Sequence, residues 1–390
     1  MNIVKTLYSN YRIARQDART SFILRKRHYK ELYKFRDARR IAIAKQFSLS
    51  KEQKGAIDDL YETNYGKRIG YIWHQNYAAH AGRFDYKFFP EVLYFPEFEA
   101  YQNQNNAAIE LLSDKNFLPV VAKGIGIKMP QTIVDCANGV LRDSEKHIIT
   151  ETMAKELLSR KQSFFVKPTV DSCSGQGCVK ADQGAKIEFS NGAMSLNGNI
   201  YTQDFVIQEL IECNESLQRI YPYAVNTFRI ITYIWKDSIQ HMPISLRIGR
   251  GGKYVDNAHA GGIFVAINEN GVICNHASTE FNENYECHPD TGVKFEGYKI
   301  AQFDKVLATV TRFHEAIPQI GCINWDATID KDGNAIVLEA NTSDGGVWLP
   351  QMAHGVGPFG ERITEVLQWL RFMKKIKPHE RGRFTAGRMG

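Results

Sequence analysis

Apolar positions in the first sixty residues recur at helical spacing. Ile23, Leu24, Tyr29, Leu32, Tyr33 and Phe35 form a rough stripe among basic residues, and no Pro or Gly interrupts the run before Gly55. Residues 61–110 are crowded with aromatic side chains and broken by Pro90 and Pro96, which predicts an irregular packed connector. A helix is expected to open near residue 105 and run to 112. Beyond it strands alternate with short helices: a strand at 131–135, a helix over 150–160 and a strand at 163–166. From residue 206 strand-type runs become dense, at 206–211, 227–235, 244–248, 262–268, 272–275, 322–329 and 335–339. Helices are expected over 299–316 and 360–374. This order predicts an α+β protein of antiparallel sheets with helices on one side. It divides into a basic helical N-terminal segment (1–60), the connector (61–110), two mixed units (111–205 and 206–373) and a basic tail (374–390) expected to be mobile. No internal repeat or low-complexity segment stands out.

With 390 residues, 43% of them hydrophobic, the chain has material for two or three units with real cores. No apolar run reaches the roughly 18–20 residues of a spanning helix, and the start of the chain lacks the apolar core of a secretory signal. Seven cysteines, at 136, 173, 178, 213, 274, 287 and 322, have no paired spacing, which argues against a disulfide framework and a zinc site. A reducing, cytoplasmic setting is expected. The net charge of +6 is uneven: residues 1–54 hold fifteen Lys/Arg and four Asp/Glu, a balance of +11, which leaves −5 for the rest. Three readings of this basic lead stay open. It is a solvated helical pair packed on the body, or it meets an anionic membrane surface or polyanionic glycan, which would make the protein peripheral at the inner face of the membrane. Nucleic acid is the third reading and is not expected, because no recognised nucleic-acid motif is present.

The densest chemistry sits near the end of the second unit. Residues 323–329 and 335–341 read as two strands joined by Asp330-Lys331-Asp332-Gly333-Asn334, which has hairpin-turn chemistry. Period-two alternation then aims Asp326, Glu339 and Asn341 at one side of the hairpin, among apolar neighbours. Two carboxylates and an amide oxygen suit Mg²⁺. Upstream, Lys167 ends a strand that leads into a Ser/Gly-rich loop carrying Ser172, Ser174, Gly175 and Gly177, a backbone able to wrap an anion. The residues after that loop read as a strand, which excludes a Walker loop and a Rossmann fingerprint. The apolar strand carrying Gln208, Glu209 and Leu210 offers main-chain groups to an adenine edge, and Glu215 offers an acceptor to ribose hydroxyls. Arg229 and Arg247 lie within strands, flanked by apolar residues, where a guanidinium fork meets a carboxylate or phosphate.

The order Lys115, Lys167 with its Gly-rich loop, Gln208-Glu209-Leu210, Arg229, Arg247, Asp326 and Glu339-Ala340-Asn341 resembles the ATP-grasp superfamily. Tyr223-Ala224-Val225-Asn226-Thr227-Phe228-Arg229 and Asn257-Ala258-His259-Ala260-Gly261-Gly262 are similar, more narrowly, to its sugar-transfer-associated group, which is linked with bacterial surface-polysaccharide synthesis. The resemblance covers roughly residues 110–370 and leaves the basic lead unexplained. It implies two α+β subdomains clamping ATP. Lys115 and Lys167 would contact phosphates beneath the 172–177 loop, with Gln208, Glu209 and Leu210 on adenine and Glu215 on ribose. Asp326, Glu339 and Asn341 would hold Mg²⁺. Many ligases of the superfamily carry a basic residue two positions before the first metal Asp; here that place is Asn324, so charge at the reacting centre falls to Arg229 and Arg247. The implied activity is ATP-dependent joining of a carboxylate to an amine, the acceptor being an anionic glycan or lipid-linked saccharide. A sugar or small-molecule kinase and a non-catalytic nucleotide- or glycan-binding module are the alternatives.

Overall fold

The computed structural model describes residues 2–170, 177–190, 192–202, 204–274 and 276–389. Ser172, Ser174 and Gly175 of the expected anion loop lie outside these residues. The N-terminal lead is helical, as its periodicity predicts. Helix α1 (Asn2–Lys34) is followed by α2 (Ala38–Ala44), α3 (Lys51–Tyr65) and α4 (Ile72–Ala81). Asp37 caps α2 by accepting from Arg39 N at 2.8 Å, and Ser50 with Gln53 forms a reciprocal capping box on α3.

The connector is not irregular. It continues as α5 (Glu91–Leu93), a π-helical turn (Tyr94–Glu99) and α6 (Ala100–Gln102). Pro90 occupies the N-cap position of this helical stretch, where a missing N–H breaks no ladder bond, and Pro96 falls within the first turn of the π segment. Helices α7 (Asn106–Ser113), α8 (Leu118–Gly124), α9 (Glu151–Ser159), α10 (Glu215–Ile220), α11 (Phe303–Ala316), α12 (Trp348–His354) and α13 (Ile363–Met373) complete the set.

Two main sheets form, with every described pairing antiparallel. The first combines β1 (Thr132–Ala137), β2 (Val140–Asp143), β3 (Ser163–Pro168), β4 (Val179–Asp182) and, beyond a small sheet of β5 (Ile187–Ser190), β6 (Ala193–Leu196) and β7 (Asn199–Tyr201), strand β8 (Phe205–Glu209). Its order is β2-β1-β8-β3-β4. The second contains β9 (Thr227–Trp235), β10 (Ser238–His241), β11 (Ile244–Ile248), β12 (Ile263–Ile267), β13 (Ala277–Ser278), β14 (Asn284–Tyr285), β15 (Cys322–Ile329) and β16 (Ala335–Asn341). Its order is β14-β13-β12-β11-β9-β15-β16, with β10 paired to β9. The strand expected at 272–275 is reduced to isolated bridges at Val272 and Ile273.

Helices cover the second sheet on both faces, not one. Along β9, Phe228 and Ile230 enter a core with α8, α10 and α11, while Ile231, Tyr233 and Trp235 enter a second core built from α3, α4, the π turn, α12 and α13. The aromatic-rich connector therefore supplies the covering layer that the sequence pattern left unassigned. A third core lies between the first sheet and α9. The tail is docked, not mobile: Arg381 sits 4.6 Å above the ring of Tyr101, and Trp369 Nε1 donates to the Phe384 carbonyl at 2.8 Å.

Candidate active site

Strand register assembles the site on one face of the second sheet. Arg229 on β9 stands opposite Ser245 on β11 and Asp326 on β15, and Asp326 stands opposite Glu339 on β16. Directly opposed antiparallel residues point to the same face. Four neighbouring strands thus lay Ser245, Arg229, Asp326 and Glu339 in one lateral row. Arg247 and its partner Thr227 lie two residues along on β11 and β9, and Asn324 and Asn341 face each other two residues along on β15 and β16. A bulge between Asp326 and Ala327 leaves Leu338 as the extra residue on β16. It lets Glu339 share a face with Asp326 while Val337 stays in the core.

Asp326 is the hub. Arg229 Nε lies 2.8 Å from its Oδ1 and Arg247 Nη2 lies 2.9 Å from its Oδ2. The Arg229 approach is out of line, so Asp326 Oδ1 is buried without a hydrogen bond. Arg247 also donates from Nε and Nη2 to Thr227 Oγ1, at 3.0 and 2.7 Å, and the Thr227 hydroxyl donates onward to Asp256 Oδ2. Burial pushes the Asp256 carboxyl up against the pull of Arg247. Burial also presses on Arg247, but Asp256 and Asp326 outweigh it and hold its pKa above the ordinary value. Arg229 goes the other way: burial lowers it, with Asp326 opposing and Arg247 adding to the fall.

The first sheet supplies cations from across the gap. Lys115 N donates to the Thr169 carbonyl, which pins the segment after α7 to the end of β3, and Lys115 Nζ reaches Glu339 Oε1 at 3.1 Å. Lys167, near the end of β3, has its pKa lowered by burial, with Glu339 opposing. Between the two sheets lies a cavity of about 700 Å³. Lys167, Gln208, Glu209 and Leu210 line it from the first sheet, and Arg229, Arg247, Asp326, Glu339 and Asn341 from the second. Around the Asp326 hub, Asp256, Asp326 and Glu339 alternate with Lys115, Lys167, Arg229 and Arg247, so acidic and basic groups are closely interleaved there.

Glu215 is not brought in. It opens α10, is mostly exposed and pairs with Arg219 four residues on. Glu209 lines the cavity but holds Lys161 at 2.5 Å. Gly177 is described, with φ +73°, at the edge of the loop. Asn324 is fully buried, and a Cβ on Gly345 would stand 1.9 Å from its Cγ. No room exists there for a lysine or arginine. Thr227 and Asp256 were not anticipated; Thr227 is two residues from Arg229 and was open to the same period-two argument, whereas Asp256 sits in an Asn/Gly-rich loop that reads as a turn. Nor were Lys30, Glu31 and Lys34, which bring α1 to the same cavity.

The oxygen set fits a hard cation. Asp326 Oδ1 is buried and lacks a hydrogen bond, Glu339 is about one-third exposed toward the cavity, and Asn341 lies beside it. Among the described residues no three His, Cys, Asp or Glu side chains cluster as a metal site, so this trio depends on its amide.

Two antiparallel-sheet units facing each other across such a cavity define the class: this is an ATP-grasp protein. The family model described as sugar-transfer associated ATP-grasp matches residues 97–366, and the chain belongs to that family. ATP with Mg²⁺ is the cofactor pair of the superfamily. No curated protein sequence matches the chain. Similar solved structures include N5-carboxyaminoimidazole ribonucleotide synthetase from Thermotoga maritima, at 12% identity and TM-score 0.33 over 61% of this chain and 44% of that one. L-amino acid ligase from Bacillus licheniformis is at 13% and 0.35, over 68% and 48%. D-alanine–D-alanine ligase from Bacillus anthracis is at 14% and 0.37, over 70% and 69%. The chain spans less than half the length of the first two. Likenesses this distant say nothing about substrate.

Proposed function

We propose that this protein is an ATP-dependent ligase that activates a carboxylate as an acyl phosphate and joins it to an amine. The observation that carries the reading is the convergence of the Asp326–Glu339–Asn341 oxygen set, two buried arginines and Lys167 on one cavity, with Lys115 paired to Glu339. Asp326, Glu339 and Asn341 would hold Mg²⁺, which supplies positive charge to the nucleotide phosphates. Lys115 and Lys167 bind phosphate oxygens, and Gln208 to Leu210 line the adenine end. Arg229 and Arg247 orient the reacting carboxylate and offset negative charge as its oxygen attacks the γ-phosphorus and ADP leaves. The amine then displaces phosphate to give the amide. An acyl phosphate exposed to water hydrolyses, so the reaction requires the cavity to exclude water while the intermediate is held. The Asn324 substitution supports giving this work to the arginines, since the packed position beneath Gly345 has no space for another cation. The substrate we propose is a bacterial surface glycan or its precursor, with a uronic acid or amino acid as the carboxylate; the sugar-transfer association of the family supports this choice.

ADP release by the purified protein, across a panel of carboxylates with and without amines, tests the reading. Release that needs both, with an amide as product, is expected. A stable phosphorylated product would make the protein a kinase, and no ATP consumption with any pair would leave a binding module.

A further inference from the structure

Helix α1 is turned the opposite way from an ordinary surface helix. Its inward side carries Ile13, Asp17, Thr20, Leu24, Arg27, Glu31 and Lys34, a mostly polar stripe at three- and four-residue spacing. Asp17 pairs with His379 and Lys34 with Glu91, each at 2.7 Å, and these polar contacts hold the helix to the body alongside the packing of Leu24. The outward side carries Tyr8, Tyr11, Phe22, Tyr29 and Tyr33, at steps of three, eleven, seven and four residues, near-whole numbers of turns, with Leu7 beside them. Tyr8 is 63% exposed and Phe22 67%. Arg12, Arg15, Arg19 and Lys26 are exposed beside them. The helix holds nine Lys/Arg and two Asp/Glu, a balance of +7 over about 50 Å of length.

A solvated helix has no reason to present this row of rings, and a coiled-coil partner would bury the arginines that interrupt it. Basic side chains interleaved with aromatic ones match one surface well: anionic headgroups above an apolar layer, where arginine and lysine reach the phosphates and the rings enter the interface. Charge excludes a spanning role, and among the described residues no helix is long and apolar enough to cross a membrane. We propose that the outward face of α1 docks the protein on an anionic lipid surface, lying along it. Because Lys30, Glu31 and Lys34 on the same helix line the cavity, docking sets the catalytic cavity about one helix width from the lipid, which suits a lipid-linked acceptor. The proposal stands on α1 alone and is independent of the ligase chemistry.

Co-sedimentation of the full chain with vesicles tests it. Binding to phosphatidylcholine vesicles containing phosphatidylglycerol should exceed binding to pure phosphatidylcholine by at least ~10-fold and fall with added salt. Tyr8→Ser/Tyr11→Ser/Phe22→Ser, all outward-facing, should abolish binding with unchanged helix content by circular dichroism. Should the triple variant lose helicity, Phe22→Ser alone carries the test. Arg12→Ser and Arg19→Ser should each lower partitioning about 5-fold. Equal or no binding to the two vesicle types would overturn the proposal, as would wild-type binding by the aromatic variant. Retention on heparin without vesicle binding would assign the charge to a polyanion instead. A dimer that the triple variant disrupts, with no vesicle binding, would make the face a contact between copies.

Discussion

Asp326 is shared between two buried arginines while one of its oxygens lacks a hydrogen bond, and Glu339 pairs with Lys115. This asymmetry decides which substitutions report on chemistry. Arg247→Ala would strand Asp256 and Asp326 together, so it disturbs the fold as well as the site. Glu339→Gln is the cleaner probe: ATP turnover should fall by at least ~10²-fold, the scale for one well-placed charge, with little change in melting temperature. Turnover near wild type would remove Glu339 from the site. Lys167→Ala should weaken ATP affinity by roughly 10–100-fold in isothermal titration, the worth of a charge-assisted contact; unchanged affinity would leave Lys167 a strand-end residue. Glu99 supplies a pH test. Its carboxylate accepts from Asp344 N and Gly345 N, which fixes the cavity-lining turn after β16, yet burial, with Asp344 adding, pushes its pKa to about 8. A raised carboxyl pKa stabilises the fold fully below pH 4.5, and that contribution is lost as pH rises through 8. Urea titrations of wild type and Glu99→Gln should therefore diverge by a few kcal/mol in the variant's favour as pH rises from 4.5 to 8. Parallel curves would reject the assignment.

At the scale of elements, α1 is tied to the π-turn region by one cation. Lys34 Nζ sits between Glu31 and Glu91 and 5.1 Å from the Phe95 ring centroid. Glu31 is pushed up to about 7 by burial, with Glu91 next to it adding to the rise. Lys34→Met would leave two buried carboxyls facing each other and should cost about 3 kcal/mol in urea denaturation, the low end for a broken buried pair because Lys34 is partly exposed. Adding Glu31→Gln should recover much of the loss; no recovery would mean the lysine acts through its stem alone. The β15–β16 hairpin is the opposite case, an element whose geometry is local. Its Asp-Gly turn and apolar alternation set the register, so the pairing of Asp326 with Glu339 was readable, although the bulge at Leu338 was not.

For the whole molecule, the basic lead is part of the structure. Leu24, Phe35, Ile43, Phe47 and Leu49 are buried or packed against buried residues, whereas residues 5–12 are exposed throughout. Deleting residues 1–54 should therefore yield insoluble protein. Deleting residues 1–12 should leave melting temperature unchanged and lower only vesicle binding. A soluble, fully folded 1–54 deletion would separate the lead from the body.

The sequence by itself determined the elements and the chemistry that depend on neighbours: the strands carrying Arg229, Arg247 and Asp326, the oxygen trio on its hairpin, the helical lead and the family. Period, turn residues and side-chain type act over a few positions and leave a local trace. Only the tertiary structure decided that Asp256 completes the Arg247–Thr227 network, that Glu215 turns away, that Asn324 is sealed under Gly345, and that α1 reaches the cavity with its aromatic face outward. Most of these rest on groups far apart in the chain, such as Thr227 with Asp256, Asn324 with Gly345 or Lys34 with Glu91, held by packing of whole layers. Such contacts are made by the fold's long-range geometry and have no period in the sequence that could announce them.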